Sequence, residues 1–257
     1  MKITPGVKIK PAEAKALVDA LYGKVAARWE ERVTRSPFMQ QVVTGKLPLS
    51  TIQLFFKNWG AWTIEINTLT ACSYQRFLPF FKSHRDLMAP LGEKIADEFI
   101  HPKPPGHFLV MMETAKAFGL SEDEVFTSSM LSEFRGKIDF MRGIVYEGSA
   151  AEWYAAVTTE EQIGHWSAAC YKALTTHYGF DRAKATYFAT HVEADLEEHE
   201  EGVMGHASFN RMALQRLLET GMTDERPTYG LEYCAMTSVD LHGAMLRSAL
   251  EEAERGN

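Results

Sequence analysis

Apolar residues recur every three or four positions along most of the chain, and strand-type alternation is nearly absent. This period is typical of amphipathic α-helices. The first such segment begins at Pro11, extends to about Arg35 and has apolar residues at Ala14, Leu17, Leu21, Val25 and Trp29. Proline suits the first turn of a helix, where the backbone N–H has no helical partner. The pattern predicts an all-α protein.

Capping residues and prolines divide this pattern into seven or eight helices with short connections. Ser50 with Gln53 and Ser121 with Glu124 have the spacing of capping boxes, which open helices. The segment HPKPPGH, residues 101–107, interrupts a helix because proline cannot continue one. A short helix is predicted near Pro37–Thr44, and the longer helices span about residues 11–35, 50–81, 84–100, 107–119, 121–146, 150–178, 181–220 and 228–254.

The 257 residues predict a single all-helical domain of bundle type over 1–257. The net charge of −7 and the lack of a Lys/Arg run argue against nucleic acid or an anionic membrane as a partner. No apolar run is long enough for a transmembrane helix. The three scattered cysteines, Cys72, Cys170 and Cys234, suit a reducing cytoplasm better than a disulfide framework.

One helical stripe carries four groups that can bind a metal. His191, Asp195, Glu198 and His199 fall at about 0°, 40°, −20° and 80° around a helix. Imidazole and carboxylate suit iron, manganese and zinc. The sequence therefore predicts a metal site, and a surface acidic helix with incidental histidines is the alternative. His84, His177, His206 and His242 are isolated, so we expect them to be structural or exposed.

Two other segments offer further ligands, because bundle metal sites draw Glu and His from facing helices. The segment ADEFIHPKPPGHF contains Glu98 and two candidate histidines, His101 and His107. The segment TTEEQIG contains Glu160 and Glu161, which point about 100° apart, so one of them at most faces the bundle axis. Periodicity does not choose between them. Two solvated acids in a first turn are the alternative.

The order Glu…His, Glu, His-x3-Asp…His resembles that of the haem-oxygenase-like diiron oxidases and oxygenases, which are related to pyrroloquinoline-quinone synthase and thiaminase-II-like proteins. The resemblance covers most of the chain. HFLVMMETAKAFGLSEDEV looks like the family segment after the first ligand histidine, TTEEQIG like that of the second glutamate, and FATHVEADLEEHEEG like the third ligand segment. It implies metal ligands at Glu98, His107, Glu160, His191, Asp195 and His199.

Two spacings depart from the family pattern. The usual first spacing is Glu-x6-His, whereas Glu98 and His107 are separated by eight residues. Some relatives use Glu-x2-His, which would select His101. The usual last motif places its histidine where this chain has Glu198, and His199 follows one residue later. Either a helical bulge turns His199 inward or Glu198 is the ligand.

The resemblance implies a haem-oxygenase-like bundle and an iron-dependent, O2-using oxidase or oxygenase of a small molecule. Its cofactors would be two iron ions at a non-haem dinuclear site, with manganese as the other metal considered. An external reductant and a homodimer are further expectations. Arg76 resembles basic residues that hold a substrate carboxylate in relatives, and a salt-bridged surface arginine is the alternative.

Three other functions remain open. The first is a metal-free oxidase resembling pyrroloquinoline-quinone synthase, in which histidine and arginine act on a bound quinol and O2. The second is a helical binding or scaffold protein with no catalytic role. The third is a hydrolase of the thiaminase-II type, although the residues before Glu160 do not match the nucleophilic cysteine pattern of that family.

Overall fold

The computed structural model describes Thr4 and residues 6–100, 106–196, 205–221 and 229–255, with the side chains of 193–196 left out. Every regular element in these ranges is helical, so the prediction of an all-α fold is confirmed. The first elements are α1 (Pro11–Trp29), a π-helical turn (Glu30–Thr34), α2 (Pro37–Val43), α3 (Leu49–Arg76), α4 (Leu78–Ser83), a 3-10 turn (Arg85–Leu87) and α5 (Met88–Phe99).

The later elements begin after the proline-rich segment. They are α6 (Gly106–Ala117), α7 (Glu122–Phe126), α8 (Ser132–Glu147), α9 (Ala150–Ala156), a 3-10 turn (Val157–Thr159), α10 (Glu160–His177), α11 (Thr186–Leu196), α12 (His206–Thr220) and α13 (Leu231–Arg255). The described ranges therefore contain more helices than the seven or eight predicted, which corrects that number. The single-domain organisation stays a prediction.

Two interruptions account for part of the difference. The predicted helix 121–146 divides into α7 and α8. The Leu131 N–H, just before α8, donates a 2.7 Å hydrogen bond to the Asn58 side chain of α3. A side chain distant in sequence thus satisfies an N-terminal N–H and fixes where α8 begins. The predicted helix 150–178 likewise changes to a 3-10 turn at Val157–Thr159 before α10.

The two predicted capping boxes have different outcomes. The Ser121–Glu124 box at α7 is confirmed, with both of its reciprocal hydrogen bonds present. The Ser50–Gln53 box is wrong, because α3 begins at Leu49, one residue earlier. The Gln53 side chain instead donates a 2.5 Å hydrogen bond to the carbonyl of Phe118. A tertiary partner has replaced the local one.

Helix α3 lies at the centre of the structure, packed against α6, α7, α8 and α13. Trp59 in its middle is 1% exposed, and its ring lies 4.5 Å from that of Trp62 and 5.3 Å from that of Trp166. The Trp59 indole N–H donates a 2.7 Å hydrogen bond to the hydroxyl of Tyr187 on α11. This aromatic layer forms one wall of the cavity described below. Within the described residues, no helix is long and apolar enough to cross a membrane.

Candidate metal and substrate site

A small internal cavity of about 70 Å³ lies beside the aromatic layer of α3. Side chains from α3, α5, α8, α9, α10, α11, α12 and α13 line it. Three of the predicted metal ligands, Glu98, Glu160 and His191, are among them. Residues that the sequence places far apart therefore meet around one pocket, as expected for a functional site in a helical bundle.

Glu98 and His107 lie close together because the backbone at Gly106, the first residue of α6, lies against the end of α5. Glu98 lies in the last turn of α5 and His107 in the first turn of α6. Gly106 has φ +79°, and a Cβ added there would lie 2.5 Å from the Glu98 carbonyl oxygen. Only glycine readily combines this conformation with so close a backbone approach. As a result the Glu98 Oε2 lies 3.3 Å from the His107 Nδ1, outside hydrogen-bonding geometry.

The histidines around Glu98 favour its ionised form. Burial raises the pKa of Glu98, but its interaction with the protonated form of His107, with the charges of His206 and His191 contributing, outweighs burial and lowers that pKa to about 2. A carboxylate ionised throughout the physiological range suits a metal ligand, because the anion is the coordinating form.

His191 lies against His107 across α6 and α11, with ring centroids 4.4 Å apart. Its Nδ1 lies 3.0 Å from the backbone carbonyl of Tyr187, one turn earlier on α11. A carbonyl accepting from Nδ1–H fixes both the tautomer and the ring orientation. The prediction that His191 lies in the site is supported by its position on the cavity wall.

His206 also lines the cavity, and the expectation that it is isolated is wrong. It is buried, its Nε2 lies 3.0 Å from Asp97 Oδ2, and its ring centroid lies 5.8 Å from that of His107. Sequence spacing gave no signal for it, because Asp97 is 109 positions away. The other isolated histidines fit the expectation: His242 is buried in the core and His177 is exposed.

Glu160 and Glu161 face different surroundings. Glu160 lines the cavity, and its Oε2 accepts hydrogen bonds from Lys94 (2.5 Å) and from the Asn210 amide (2.6 Å). Glu161 forms an ion pair of 2.9 Å with Arg211. The position that the family resemblance selects, Glu160, is therefore the cavity-facing glutamate.

Lys94 and Asn210 are site residues that the sequence argument missed. Lys94 is buried and also donates a 3.0 Å hydrogen bond to the Asn210 Oδ1, which closes a three-membered polar cluster with Glu160. A signal existed in the spacing, because Lys94 precedes Glu98 by four positions and Asn210 follows His206 by four. Residues four apart share a helix face.

Part of the predicted ligand set cannot be placed. Asp195 belongs to α11, but its side chain is outside the description, and His101, Glu198 and His199 lie outside the described residues. Among the side chains that the structure describes, no group of three or more His, Cys, Asp and Glu is arranged to hold a metal ion. The choices between His101 and His107 and between Glu198 and His199 stay predictions.

Arg76 lies away from the cavity. It is exposed in the last turn of α3, and its guanidinium carbon lies 5.6 Å from the centroid of the Phe77 ring. It is not among the residues that line the cavity. Its proposed contact with a substrate carboxylate stays a prediction that the geometry does not support.

A family model described as iron-containing redox enzyme matches residues 50–226, which is more than half of the chain. The chain belongs to this family. The matched range includes α5, α6, α10 and α11, the helices that carry the predicted ligands. No curated protein matches this chain in sequence.

Solved structures share the fold of this chain. One is a domain of unknown function with a haem-oxygenase-like fold from Shewanella denitrificans, with TM-score 0.71, 17% identity, and 92% of this chain and 93% of that chain covered. A TenA homologue from Pseudomonas syringae has TM-score 0.70, 14% identity, and 98% and 100% coverage. A CadD-like protein of unknown function from Nostoc punctiforme has TM-score 0.62, 12% identity, and 94% and 97% coverage. The predicted haem-oxygenase-like fold is confirmed.

Proposed function

We propose that this redox enzyme is an iron-dependent, O2-using oxidase or oxygenase of a small molecule. We further propose two non-haem iron ions, with manganese as the other metal considered, held by Glu98, His107, Glu160, His191, Asp195 and His199. The observation that carries the proposal is that Glu98 and His191 line one cavity and both lie against His107, in a chain that belongs to a family described as iron-containing redox enzyme. An external reductant would supply any electrons that the substrate does not.

The Glu98–His107 pair fits a shared metal ion better than it fits a hydrogen bond. Metal bonds of about 2.1 Å to nitrogen and oxygen place two neighbouring ligand atoms roughly 3.0–3.4 Å apart. The observed separation of Oε2 and Nδ1 is 3.3 Å, and this buried Nδ1 makes no hydrogen bond. The donor set of hard carboxylates and imidazoles also suits iron.

Groups behind the proposed ligands would hold them in place. A coordinating histidine commonly donates its other ring N–H to a carbonyl, which is the relation between His191 and Tyr187. Coordinating carboxylates are in turn hydrogen-bonded by neighbouring groups. Lys94 and Asn210 do this for the Glu160 Oε2. These contacts reduce the reorganisation that metal binding would require.

Bound iron would supply electrons to O2 and leave coordination positions for O2 and substrate. The chain itself would bind and orient the reactants. Trp59, Trp62 and Trp153 on the cavity wall exclude bulk water. In a dry site the charges of Glu98 and Lys94 act more strongly on a bound molecule than they would in water.

A metal-free oxidase resembling pyrroloquinoline-quinone synthase is the second candidate. It is favoured by the contact between Lys94 and Glu160, because an ammonium already balances the charge of the carboxylate. In that case the imidazoles at the cavity, above all His191 and His206, would transfer protons to and from a bound quinol. Substrate-dependent O2 uptake in the presence of a strong chelator would favour this candidate.

Anaerobic loading with ferrous iron, followed by measurement of bound iron, tests the main proposal. We expect about two iron ions per chain and clear losses in Glu98→Gln, Glu160→Ala and His191→Ala. Glu161→Gln is the matched control, because Glu161 neighbours Glu160 but pairs with Arg211. Less than one iron per chain, or unchanged loading in Glu160→Ala and His191→Ala, would contradict the proposal.

A further inference from the structure

Three buried N–H donors at the cavity lack a full set of acceptors. The Trp62 Nε1 and the Asn67 Nδ2 are buried and make no hydrogen bond with any of the described residues. The third donor is the Lys137 ammonium, and all three residues line the cavity. Buried polar groups are nearly always hydrogen-bonded, so unsatisfied donors grouped at one cavity point to a missing acceptor.

Lys137 is buried, and none of the described carboxylates is its counter-ion. It is 2% exposed on α8, its Nζ lies 3.3 Å from His242 Nδ1, and that Nζ lies 5.3 Å from the centroid of the Trp62 ring. An ammonium has three N–H donors, and the contact with His242 uses only one. Burial alone lowers the pKa of Lys137 to about 7, and no carboxylate of the described residues offsets it.

His242 is a neutral acceptor for Lys137. Burial, with a smaller contribution from the Lys137 charge, lowers the pKa of His242 well below its usual value. The imidazole therefore accepts through Nδ1 and brings no negative charge to the ammonium. The pair is a polar contact inside the aromatic core, and the charge of a protonated Lys137 still lacks compensation.

We propose that Lys137, Trp62 and Asn67 form an anchor for the carboxylate of a monocarboxylate substrate with a small, flat apolar body. That the bound molecule is the substrate rests on the proposed function, whereas the binding itself does not. A carboxylate offers two oxygens and about four acceptor positions, which suits three donors of different direction. The tryptophans on the wall, Trp59, Trp62 and Trp153, suit a flat body.

The charge of the cavity favours one carboxylate over a phosphate. Glu98 and Glu160 line the same space, and both repel a second negative charge on a ligand. Lys94 already pairs with Glu160, so Lys137 is the lysine of the cavity that lacks a carboxylate partner in the described structure. One unpaired ammonium matches one negative charge.

The anchor lies on different helices from the proposed metal ligands. Trp62 and Asn67 are on α3 and Lys137 is on α8, whereas Glu98, His107, Glu160 and His191 come from α5, α6, α10 and α11. A molecule whose carboxylate is held by Lys137, Trp62 and Asn67 would present its other end to the proposed metal ligands. The carboxylate contact that the sequence suggested for Arg76 is thus reassigned to Lys137.

Binding to the metal-free full chain in a chelator tests the anchor. The probes are propionate and the flat crotonate, which are small enough for a cavity of about 70 Å³, their neutral amides propanamide and crotonamide, and inorganic phosphate. Calorimetry at pH 8 in two buffers of different ionisation enthalpy measures affinity and proton uptake together. Because a carboxylate would recharge Lys137, we expect proton uptake with the acids and none with the amides. The other charged or titratable groups that line the cavity are Glu98, Glu160, Tyr187, His191 and His206. Lys94 contacts Glu160 from behind, and His242 contacts Lys137 directly.

Variants separate the anchor from a structural role. We expect Lys137→Met and Trp62→Phe to weaken binding of the acids about tenfold or more, since each loses a charge or a donor, with little change for the amides. Met141→Leu is the matched control, because Met141 lines the same cavity one turn along α8. Lys137→Arg should keep most of the affinity for the acids.

Several results would overturn the anchor. They are no binding of either acid at millimolar concentration, equal affinity for acids and amides, tighter binding of phosphate than of the acids, and unchanged acid affinity in Lys137→Met. Iron loading is measured on the same preparations. Acid binding without iron loading would refute the proposed function alone, and iron loading without acid binding would refute the anchor alone.

Discussion

Gly106→Ala tests whether the close approach of Gly106 to the end of α5 positions Glu98 and His107 next to each other. At φ +79° an alanine costs about 1–2 kcal/mol from its Cβ alone. The added Cβ would also lie 2.5 Å from the Glu98 carbonyl oxygen and 2.8 Å from the Phe99 carbonyl carbon, so the backbone has to shift. We expect a total loss of about 2–4 kcal/mol of unfolding free energy. The shift falls directly on the two proposed ligands.

Gly179→Ala separates conformational strain from the close approach. Gly179 has φ +72°, and a Cβ added there would meet nothing within 4 Å. We therefore expect only the conformational cost of about 1–2 kcal/mol, with iron loading unchanged. Urea unfolding followed by tryptophan fluorescence gives the difference, provided that the slope stays constant. If both variants lose the same stability and bind the same amount of iron, the close approach of Gly106 to α5 does not position the proposed ligands.

Two other predictions concern the charged groups of the cavity. The pKa of Glu98 is lowered from 4.5 to about 2, so its stabilising contribution should be complete above about pH 4.5 and lost as the pH falls towards 2. Unfolding experiments from pH 2 to 6 should show a weaker pH dependence in Glu98→Gln, and an unchanged profile would contradict this. Lys94→Met should cost about 3–5 kcal/mol because it leaves Glu160 without its cation. The double variant Lys94→Met with Glu160→Gln should recover part of that loss in thermal unfolding, and strict additivity would contradict it.

The helices were predictable from the sequence because their periodicity is local. Their interruptions were not, because tertiary contacts set them. Helix α8 begins directly after Leu131, whose N–H donates a hydrogen bond to the Asn58 side chain, 73 positions away. The Gln53 side chain does not cap α3 but donates a hydrogen bond to the carbonyl of Phe118, 65 positions away. No short-range pattern contains these partners, so the predicted helices were too few and too long.

In the candidate site, too, residues with a local sequence signal were predictable and residues defined by tertiary contacts were not. Glu98 and His191 stood out because each lies in a segment with other candidate ligands. His206 and Lys94 did not, since their partners Asp97 and Glu160 lie on other helices. Lys94 and Glu98 are four positions apart and so share a helix face. This spacing did not indicate a metal site, because lysine is not a usual metal ligand.

Two buried lysines at or behind the cavity wall have different partners. This difference indicates that Lys94 is structural and that Lys137 is a binding group. Lys94 has its counter-ion within the fold, because Glu160 and Asn210 accept from its ammonium. Lys137 has only the neutral His242 and the face of Trp62. Removing half of a buried ion pair leaves an uncompensated charge, whereas removing a buried charge that lacks a partner relieves a desolvation cost. The unfolding free energy should therefore fall in Lys94→Met and be unchanged or higher in Lys137→Met, while affinity for carboxylates falls in Lys137→Met.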